Sequence, residues 1–404
     1  MSIHETFDVV VIGGGPAGAT AAADLAAKGH SVLLLDKAGR IKPCGGAIPP
    51  RLIRDFRIPD ELLCAKISSA RMIPPSGKSV DMPIDTGGFV GMVDRESFDE
   101  WLRERAATQG ATRRRGSFER LSRDDDGVSV VHYTPKAAGG EAGDRQLEGA
   151  VRARMVIGAD GAVSGVARAA IPGAEKIPFV FAYHEIVRAP ADGTPAYDSK
   201  RCDVYYDGRF SPDFYSWVFP HGDTMSIGTG SANKGFSLRG SVAELRQHLS
   251  LSEAATIRKE GAPIPLKPLK KWDNGRDIIV VGDAAGVVAP SSGEGIYYAM
   301  ACARFAADAV HQALVTRDAR ALAGARKAFM KAHGKVFWIL GIMQWFWYRN
   351  DKLRERFVII CKDKDVQRLT WEAYMNKELV RKDPMAHVRI FFKDLGHLMG
   401  VART

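Results

Sequence analysis

Three features of the 404-residue sequence predict an α/β fold: a Rossmann-like domain, an antiparallel β-sheet inserted into it, and a helical C-terminal region. First, residues 7–12 (FDVVVI) are a short β-branched apolar run that passes directly into Gly13-Gly14-Gly15-Pro16-Ala17-Gly18 and an Ala-rich helical stretch to about Lys28. Second, residues 179–229 alternate with period two between turn signals, the pattern of an antiparallel sheet. Third, two more apolar strands, far apart in the chain, end in Gly158-Ala159-Asp160-Gly161 and Gly282-Asp283.

The opening stretch has the GxGxxG spacing at Gly13, Gly15 and Gly18, and its second strand, residues 31–35, ends in Asp36. Gly13 permits a tight turn, Gly15 lets a pyrophosphate approach the backbone, and Gly18 lets the helix pack closely on the strand. The helix N-terminus offers N–H groups and partial positive charge to phosphates, and Asp36 is placed to accept hydrogen bonds from a ribose diol. The loop 37–50 contains Cys44 among prolines and glycines that preclude a regular element. Residues 67–73 and 78–82 read as strands about the turn 74–77, and residues 88–93 as another. A helix opens at Asp94-Arg95, with Phe98, Leu102 and Ala106 on one face. Strands follow over 115–121, 128–133 and 151–157, with a soft Ala/Gly loop at 136–143. After residue 229 come a short helix (242–249), the strand 277–281, a helix over 295–314, and helices to the end.

Composition narrows the function classes. The apolar fraction is that of a globular protein, the first apolar segment is the phosphate-turn strand and not a signal peptide, and no run reaches the roughly 18 apolar residues of a spanning helix. Five scattered cysteines without a CxxC pair fit a reducing compartment and argue against a metal site. The net charge of +10 points to an anionic partner, but no nucleic-acid-binding module accompanies it.

The set of three strand-end motifs resembles the FAD-dependent hydroxylase and reductase superfamily typified by para-hydroxybenzoate hydroxylase. The resemblance implies that Gly13, Gly15, Gly18 and Asp36 hold the ADP part of FAD, and that Asp160 lies near the pyrophosphate and nicotinamide path. It further implies that Asp283 binds the ribityl chain and that Arg95 lies near the phosphates. Asp36 departs from the Glu usual there. The expected FAD-binding domain is built from residues 1–66, 92–170 and 275–317, the substrate domain from 67–91 and 171–274, and a C-terminal helical region from 318–404. Gly293 and Gly295 allow the backbone close to the flavin, and Glu294 between them suits a positioning role better than acid catalysis.

Within that superfamily, Lys42-Pro43-Cys44-Gly45-Gly46-Ala47-Ile48-Pro49 and the stretch from Pro212 through Tyr215-Ser216-Trp217-Val218-Phe219-Pro220 resemble the geranylgeranyl reductases, and most of all their chlorophyll and bacteriochlorophyll branch. That branch converts a geranylgeranyl tail to phytyl with NADPH, on the free diphosphate or the pigment ester. On their own chemistry, Tyr215, Trp217 and Phe219 alternate on a strand and face one side, which suits a C20 chain because each buried CH₂ is worth about 0.8 kcal/mol. The same aromatics could equally fill a sheet core, and Cys44 could be a small packing residue. An isolated trisubstituted alkene accepts hydride poorly unless a proton is placed first on its less substituted carbon. Cys44 is the nearest candidate for that acid, or for the residue that positions it. Gly228-Thr229-Gly230 lacks the context of a second nucleotide fold, so NADPH is expected to bind transiently.

Residues 337–348 (FWILGIMQWFWY) are too short to span a bilayer, but basic residues flank their tryptophans, and Lys and Arg outnumber Asp and Glu from Arg349 onward. The expectation is peripheral attachment to the cytoplasmic face of a photosynthetic membrane, with buried helix packing as the alternative. Two rival functions share these features. A flavin monooxygenase would consume oxygen in the presence of substrate, and a non-catalytic prenyl or pigment carrier would not let NADPH reduce the flavin.

Overall fold

The computed structural model describes residues 5–37, 41–85, 87–136, 148–191, 194 and 197–377. In chain order the elements are β1 (Thr6–Ile12), α1 (Pro16–Ala27), β2 (Val32–Asp36), β3 (Ala47–Ile48), α2 (Pro50–Phe56), β4 (Leu63–Ile67), β5 (Ser69–Ile73), β6 (Val80–Pro83) and β7 (Val90–Val93). Next come α3 (Arg95–Thr108), β8 (Thr112–Arg123), β9 (Ser129–Pro135), β10 (Gly149–Gly158), α4 (Gly165–Ala170), β11 (Phe179–Arg188), β12 (Arg201–Tyr205), β13 (Ser216–His221) and β14 (Thr224–Ser231). The remainder is α5 (Leu238–His248), β15 (Thr256–Pro265), β16 (Ile278–Val280), α6 (Ile296–Thr316), α7 (Ala323–Trp347), α8 (Asp351–Ile360) and α9 (Lys364–Asn376). The described residues divide into two compact units, one drawn from 1–41, 96–179 and 263–337, the other from 42–95, 180–262 and 338–404.

In the first unit β1 pairs in parallel with β2 and β10, β2 with β8, and β10 with β16. β1 and β2 are Val- and Leu-rich and almost wholly buried, as strands covered on both faces must be. In the same six-stranded sheet, the second half of β8 and the first half of β10 pair antiparallel with β9. The Tyr133 ring of β9 lies on two glycines, Gly116 and Gly149, where a Cβ would come within 2.6 and 2.5 Å of it. Arg123 ties the meander to the sheet through two bonds to Asp277, at 2.7 and 2.9 Å, and the Ser129 hydroxyl donates to the same carboxylate at 2.8 Å. Burial alone would raise the Asp277 pKa, but Arg123, Asn274 and Ser129 hold it below the usual carboxylate range.

The second unit carries a seven-stranded sheet of order β15-β11-β14-β13-β12-β5-β6 and a small sheet of order β3-β7-β4. The large sheet is antiparallel through β11, β14, β13 and β12, but β12 and β5 are parallel. That parallel pair departs from the expected antiparallel sheet because β5 arrives from a separate, earlier stretch of chain and joins β12 side by side. Val242 and Leu245 of α5 cover one face, against Tyr183, Val187, Val218, Met225 and Ile227.

Other expectations need correction. The loop 37–50 does hold regular structure, since Ala47 and Ile48 pair with Met92 and Gly91. Pro50 then starts α2, where its missing N–H costs nothing. Residues 67–73 are two strands in different sheets, broken where Ser68 N–H bonds to Lys200 C=O at 2.9 Å. The compact units change at 41/42 and not at 66/67, because β4 pairs with β7 in the small sheet. Residues 318–337 group with the first unit and not with a separate C-terminal region. Most of the loop 136–143, part of the turn 191–193, and the tail 378–404 lie outside the described residues.

Candidate functional site

In the first unit the sheet register brings the three motifs to one level. Leu35, Ile12, Gly158 and Val280 are successive partners across β2, β1, β10 and β16. Beyond that row Gly13 N–H donates to Leu35 C=O at 2.8 Å, Ala159 N–H to Ile12 C=O at 2.7 Å, and Val281 N–H to Gly158 C=O at 2.9 Å. Gly13 has φ +105°, and a Cβ there would lie 2.3 Å from the Ala159 carbonyl oxygen, so the first and second motifs touch. A Cβ on Gly18 would lie 1.8 Å from the Gly13 carbonyl oxygen, which seats α1 on the turn. Gly15 is different: a Cβ there would meet no atom within 4 Å. It is the N-cap of α1, with Pro16 next and no side chain capping the helix end. Open backbone, helix dipole and uncapped N–H groups fit the pyrophosphate of a dinucleotide.

Asp36 is already engaged. Its Oδ2 accepts the Gly14 N–H at 2.7 Å, and Arg103 of α3 reaches both the Gly14 carbonyl, at 3.2 Å, and Asp36 Oδ1, at 4.0 Å. Arg103 thus clamps the turn to Asp36. Sequence reasoning missed it, because a single Arg on an amphipathic helix carries no distinguishing signal.

Asp160 caps α4: Ser164 Oγ donates to its Oδ1, and the Gly165 and Val166 N–H groups donate to Oδ2 at 2.7 and 3.1 Å. Burial pushes its pKa above the ordinary value, although those hydrogen bonds pull the other way. The second motif therefore offers its backbone at Gly161, which has φ +86° and no atom within 4 Å of a Cβ position. Asp283 lies half-buried in a short 3-10 turn, with its Oδ1 3.7 Å from the Cβ position of Gly295, the N-cap of α6. Gly293 has φ +62°, and Glu294 Oε1 accepts the Tyr297 N–H at 3.0 Å, which makes Glu294 a cap for α6.

In the second unit Cys44 is half-buried, and the Gly46 N–H donates to its Sγ at 3.4 Å. Gly46, with φ +73°, has no room for a side chain: a Cβ there would lie 2.5 Å from Val93 O and 2.6 Å from His221 Nε2. His221 Nδ1 lies 3.0 Å from the Phe219 carbonyl oxygen, and burial lowers the imidazole pKa. The Cβ position of Gly45 is 3.0 Å from the Phe219 ring, so the Cys44 loop lies against the aromatic strand. Tyr215, Trp217 and Phe219 do share a face, with ring centroids 5.9 and 6.2 Å apart in succession. Tyr215 and Trp217 are buried, and Tyr215 stacks on Phe214 at 4.4 Å. Behind them Tyr206 donates to the Tyr348 hydroxyl, and burial holds the Tyr206, Tyr215 and Tyr348 phenols far above their usual pKa. Arg95 opens α3 and is buried.

Two glycines read at first only as a non-nucleotide motif have a clear task. A Cβ on Gly228 would lie 2.2 Å from the Trp217 ring, and one on Gly230 would lie 2.9 Å from Phe214. They are seats for rings from β13 and from the segment just before it, and the Trp217–Gly228 pairing needs the β13–β14 register before it can be recognised.

A family model described as FAD binding domain matches residues 6–181. The chain is 57% identical over 395 residues to the geranylgeranyl diphosphate reductase of Rhodobacter capsulatus, covering 98% of both chains. It is 34% identical over 403 residues to the chloroplastic geranylgeranyl diphosphate reductase of Oryza sativa subsp. japonica, covering 97% of this chain and 86% of that one. A geranylgeranyl bacteriochlorophyll reductase-like structure from Thermoplasma acidophilum shares the fold, with a TM-score of 0.73 at 20% identity, covering 98% of this chain and 100% of that chain. Fold, turn and matched model define an FAD-binding flavoprotein oxidoreductase. Within that class, the chain belongs to the geranylgeranyl diphosphate reductase family.

Proposed function

We propose that the protein saturates double bonds of a geranylgeranyl group to give phytyl, using FAD that NADPH recharges, in chlorophyll or bacteriochlorophyll biosynthesis. The substrate is geranylgeranyl diphosphate or the geranylgeranyl ester of the pigment. The observation that carries this reading is the packing of the Cys44 loop, through Gly45, against the end of the Tyr215–Trp217–Phe219 ladder. An acidic hydrogen beside an aromatic wall is what polar reduction of an unactivated alkene requires.

Gly13, Gly15, Gly18, Asp36, Asp160, Asp283, Gly293 and Gly295 would hold FAD, with Arg95 toward its phosphates. FAD when bound supplies the hydride. Cys44 Sγ–H gives its proton to the less substituted alkene carbon, and solvent returns a proton to the sulfur afterwards. The positive charge that develops on the tertiary carbon faces the π-clouds of the ladder, which favour cations when water is excluded. The Tyr215 phenol stays protonated throughout the working pH range, because burial holds it far above its usual pKa.

The protein acts at a membrane surface. Lys331, Lys335, Trp338, Ile342, Trp345 and Arg349 recur along one exposed stripe at spacings of three and four, with Trp338 69%, Ile342 45% and Trp345 65% exposed. Among the described residues no helix is long and apolar enough to cross a membrane. The stripe has the composition of an interfacial helix, with apolar rings between cations that meet anionic headgroups.

The test is anaerobic incubation of the holoprotein with NADPH and each prenyl form, followed by mass analysis of the chain. Mass gains of two per reduced bond are expected. In a parallel aerobic incubation, substrate-dependent oxygen uptake with an unreduced chain would instead make it a monooxygenase, and in either case binding without flavin reduction would make it a carrier.

A further inference from the structure

A line of buried polar side chains runs across four neighbouring strands of the large sheet, on the face that carries the aromatic ladder. It starts at Trp217 of β13, whose Nε1–H donates to Ser226 Oγ of β14 at 3.0 Å. Ser226 Oγ is 2.8 Å from Nδ1 of His184 on β11, and His184 Nε2 is 3.1 Å from Glu260 Oε2 on β15. Arg258 Nε closes the line, 2.8 Å from Glu260 Oε1. Ser226, His184 and Trp217 are buried, so the first two bonds are made away from water, while Glu260 and Arg258 lie toward the partly exposed end.

The direction of this line follows from the inventory of donors. An indole N–H only donates and a carboxylate only accepts. Ser226 Oγ therefore accepts from Trp217, and with a neutral imidazole it turns its own hydrogen to His184 Nδ1 while the Nε2–H faces Glu260. Trp217 Nε1, Ser226 Oγ and both His184 nitrogens are then all partnered, and Arg258 adds an ion pair to Glu260. The register adds a steric half. Trp217, Gly228 and His184 are partners in one row across β13, β14 and β11, and Gly228 has no side chain where the indole lies. The ring is gripped flat over Gly228 and at its one polar edge.

We propose that Ser226 and His184 are positioning residues for prenyl reduction: they fix the rotation of the Trp217 indole, and through that wall the depth at which an isoprenoid chain sits. The inference rests on the reading of the ladder as the prenyl wall. A fixed ring presents each double bond at the same place in turn, and a loosened one lets partly reduced chains escape.

A double-substitution cycle tests this with holoprotein reduced by dithionite, which removes any dependence on NADPH. The variants are Ser226→Ala, Trp217→Phe, which keeps a ring without the N–H, and the pair together. Single-turnover product formation from geranylgeranyl diphosphate is measured, with the proportions of dihydro, tetrahydro and phytyl products. Each single change is expected to slow product formation about tenfold and to raise the share of partly reduced chains. The double variant should match Trp217→Phe alone, because Ser226 acts only through the indole N–H. Additive losses, or a Ser226→Ala variant with the wild-type product pattern, would overturn the proposal. If Ser226→Ala does not fold, Glu260→Gln takes its place in the cycle with the same expectation at smaller size. If Trp217→Phe leaves rate and products unchanged, it is the prenyl-wall reading that fails.

Discussion

The Gly13 turn and the Cys44 loop are both glycine-rich, yet they use glycine for different ends. At the turn, Gly13 and Gly18 are empty of side chain so that backbone can meet backbone, while Gly15 stays open toward a phosphate. In the Cys44 loop and its strand, Gly45, Gly46 and Gly228 are empty so that Phe219, His221 and Trp217 can lie where they do. Main chain and helix dipole suit a charged ligand fragment, whereas side chains from several strands suit an apolar one. The first kind of site is local in sequence and the second is not.

The largest effects should separate the two uses at the turn itself. Gly18→Ala forces a Cβ to within 1.8 Å of the Gly13 carbonyl oxygen, so the holoprotein should be lost: colourless on purification, with a lowered melting temperature. Gly15→Ala meets no atom and should leave apoprotein stability within about 0.5 kcal/mol, yet weaken FAD at least about tenfold by titration. Equal melting losses for the two would erase the distinction drawn here.

Cys44→Ala probes the other region. Product formation should fall about 10²–10⁴-fold in single turnover while stopped-flow flavin reduction stays near normal, since only the alkene needs the proton. If both half-reactions weaken together with FAD affinity, Cys44 packs the loop and does not act in the chemistry.

Asp277→Asn tests the frame that carries the turn, at a distance in sequence from either glycine set. Breaking this partly buried pair with Arg123 should cost about 1–2 kcal/mol in urea unfolding. Because the native Asp277 pKa is depressed, its contribution is fully present above the unfolded value of about 3.9 and is lost as pH falls through the lower native value. The variant should therefore show a flatter acid limb than wild type below about pH 4.

The smallest effect concerns the α7 stripe. Trp338→Ala with Trp345→Ala should shift sedimentation with anionic vesicles about tenfold toward the free protein and leave bound flavin intact. Trp347 is half-buried beside Phe357, so it is a poor probe for this purpose. An unchanged vesicle distribution would make the stripe a packing surface for something other than lipid.

Much of the first unit was legible because its information is sequential: a strand, a glycine spacing and a terminal acid occupy residues 6–36. The roles of individual acids were less so. Asp36 and Asp160 turned out to spend acceptors on Gly14, Gly165 and Val166 N–H groups, and such caps depend on loop geometry that residue types do not reveal. The shared face of Tyr215, Trp217 and Phe219 followed from strand alternation alone. The meaning of Gly228 and Gly230, the line through His184, and the break at Ser68 each required knowing which strands are neighbours. Pairing of β12 with β5 joins residues over a hundred positions apart, and no local pattern specifies it.

The row Leu35–Ile12–Gly158–Val280 also explains how such a molecule tolerates change. Its alignment is kept by hydrogen bonds between strands that are distant in the chain, so the stretches between them are excursions that leave the sheet and return to it. Residues 42–95 and 180–262 are two such excursions, and together they supply Cys44, the ladder and its supporting line. The glycine turn belongs to the stretches that stay in the sheet, and the aromatic face to the stretches that leave it. Substitutions within the ladder are therefore expected to leave the hydrogen bonds of the row Leu35–Ile12–Gly158–Val280 intact.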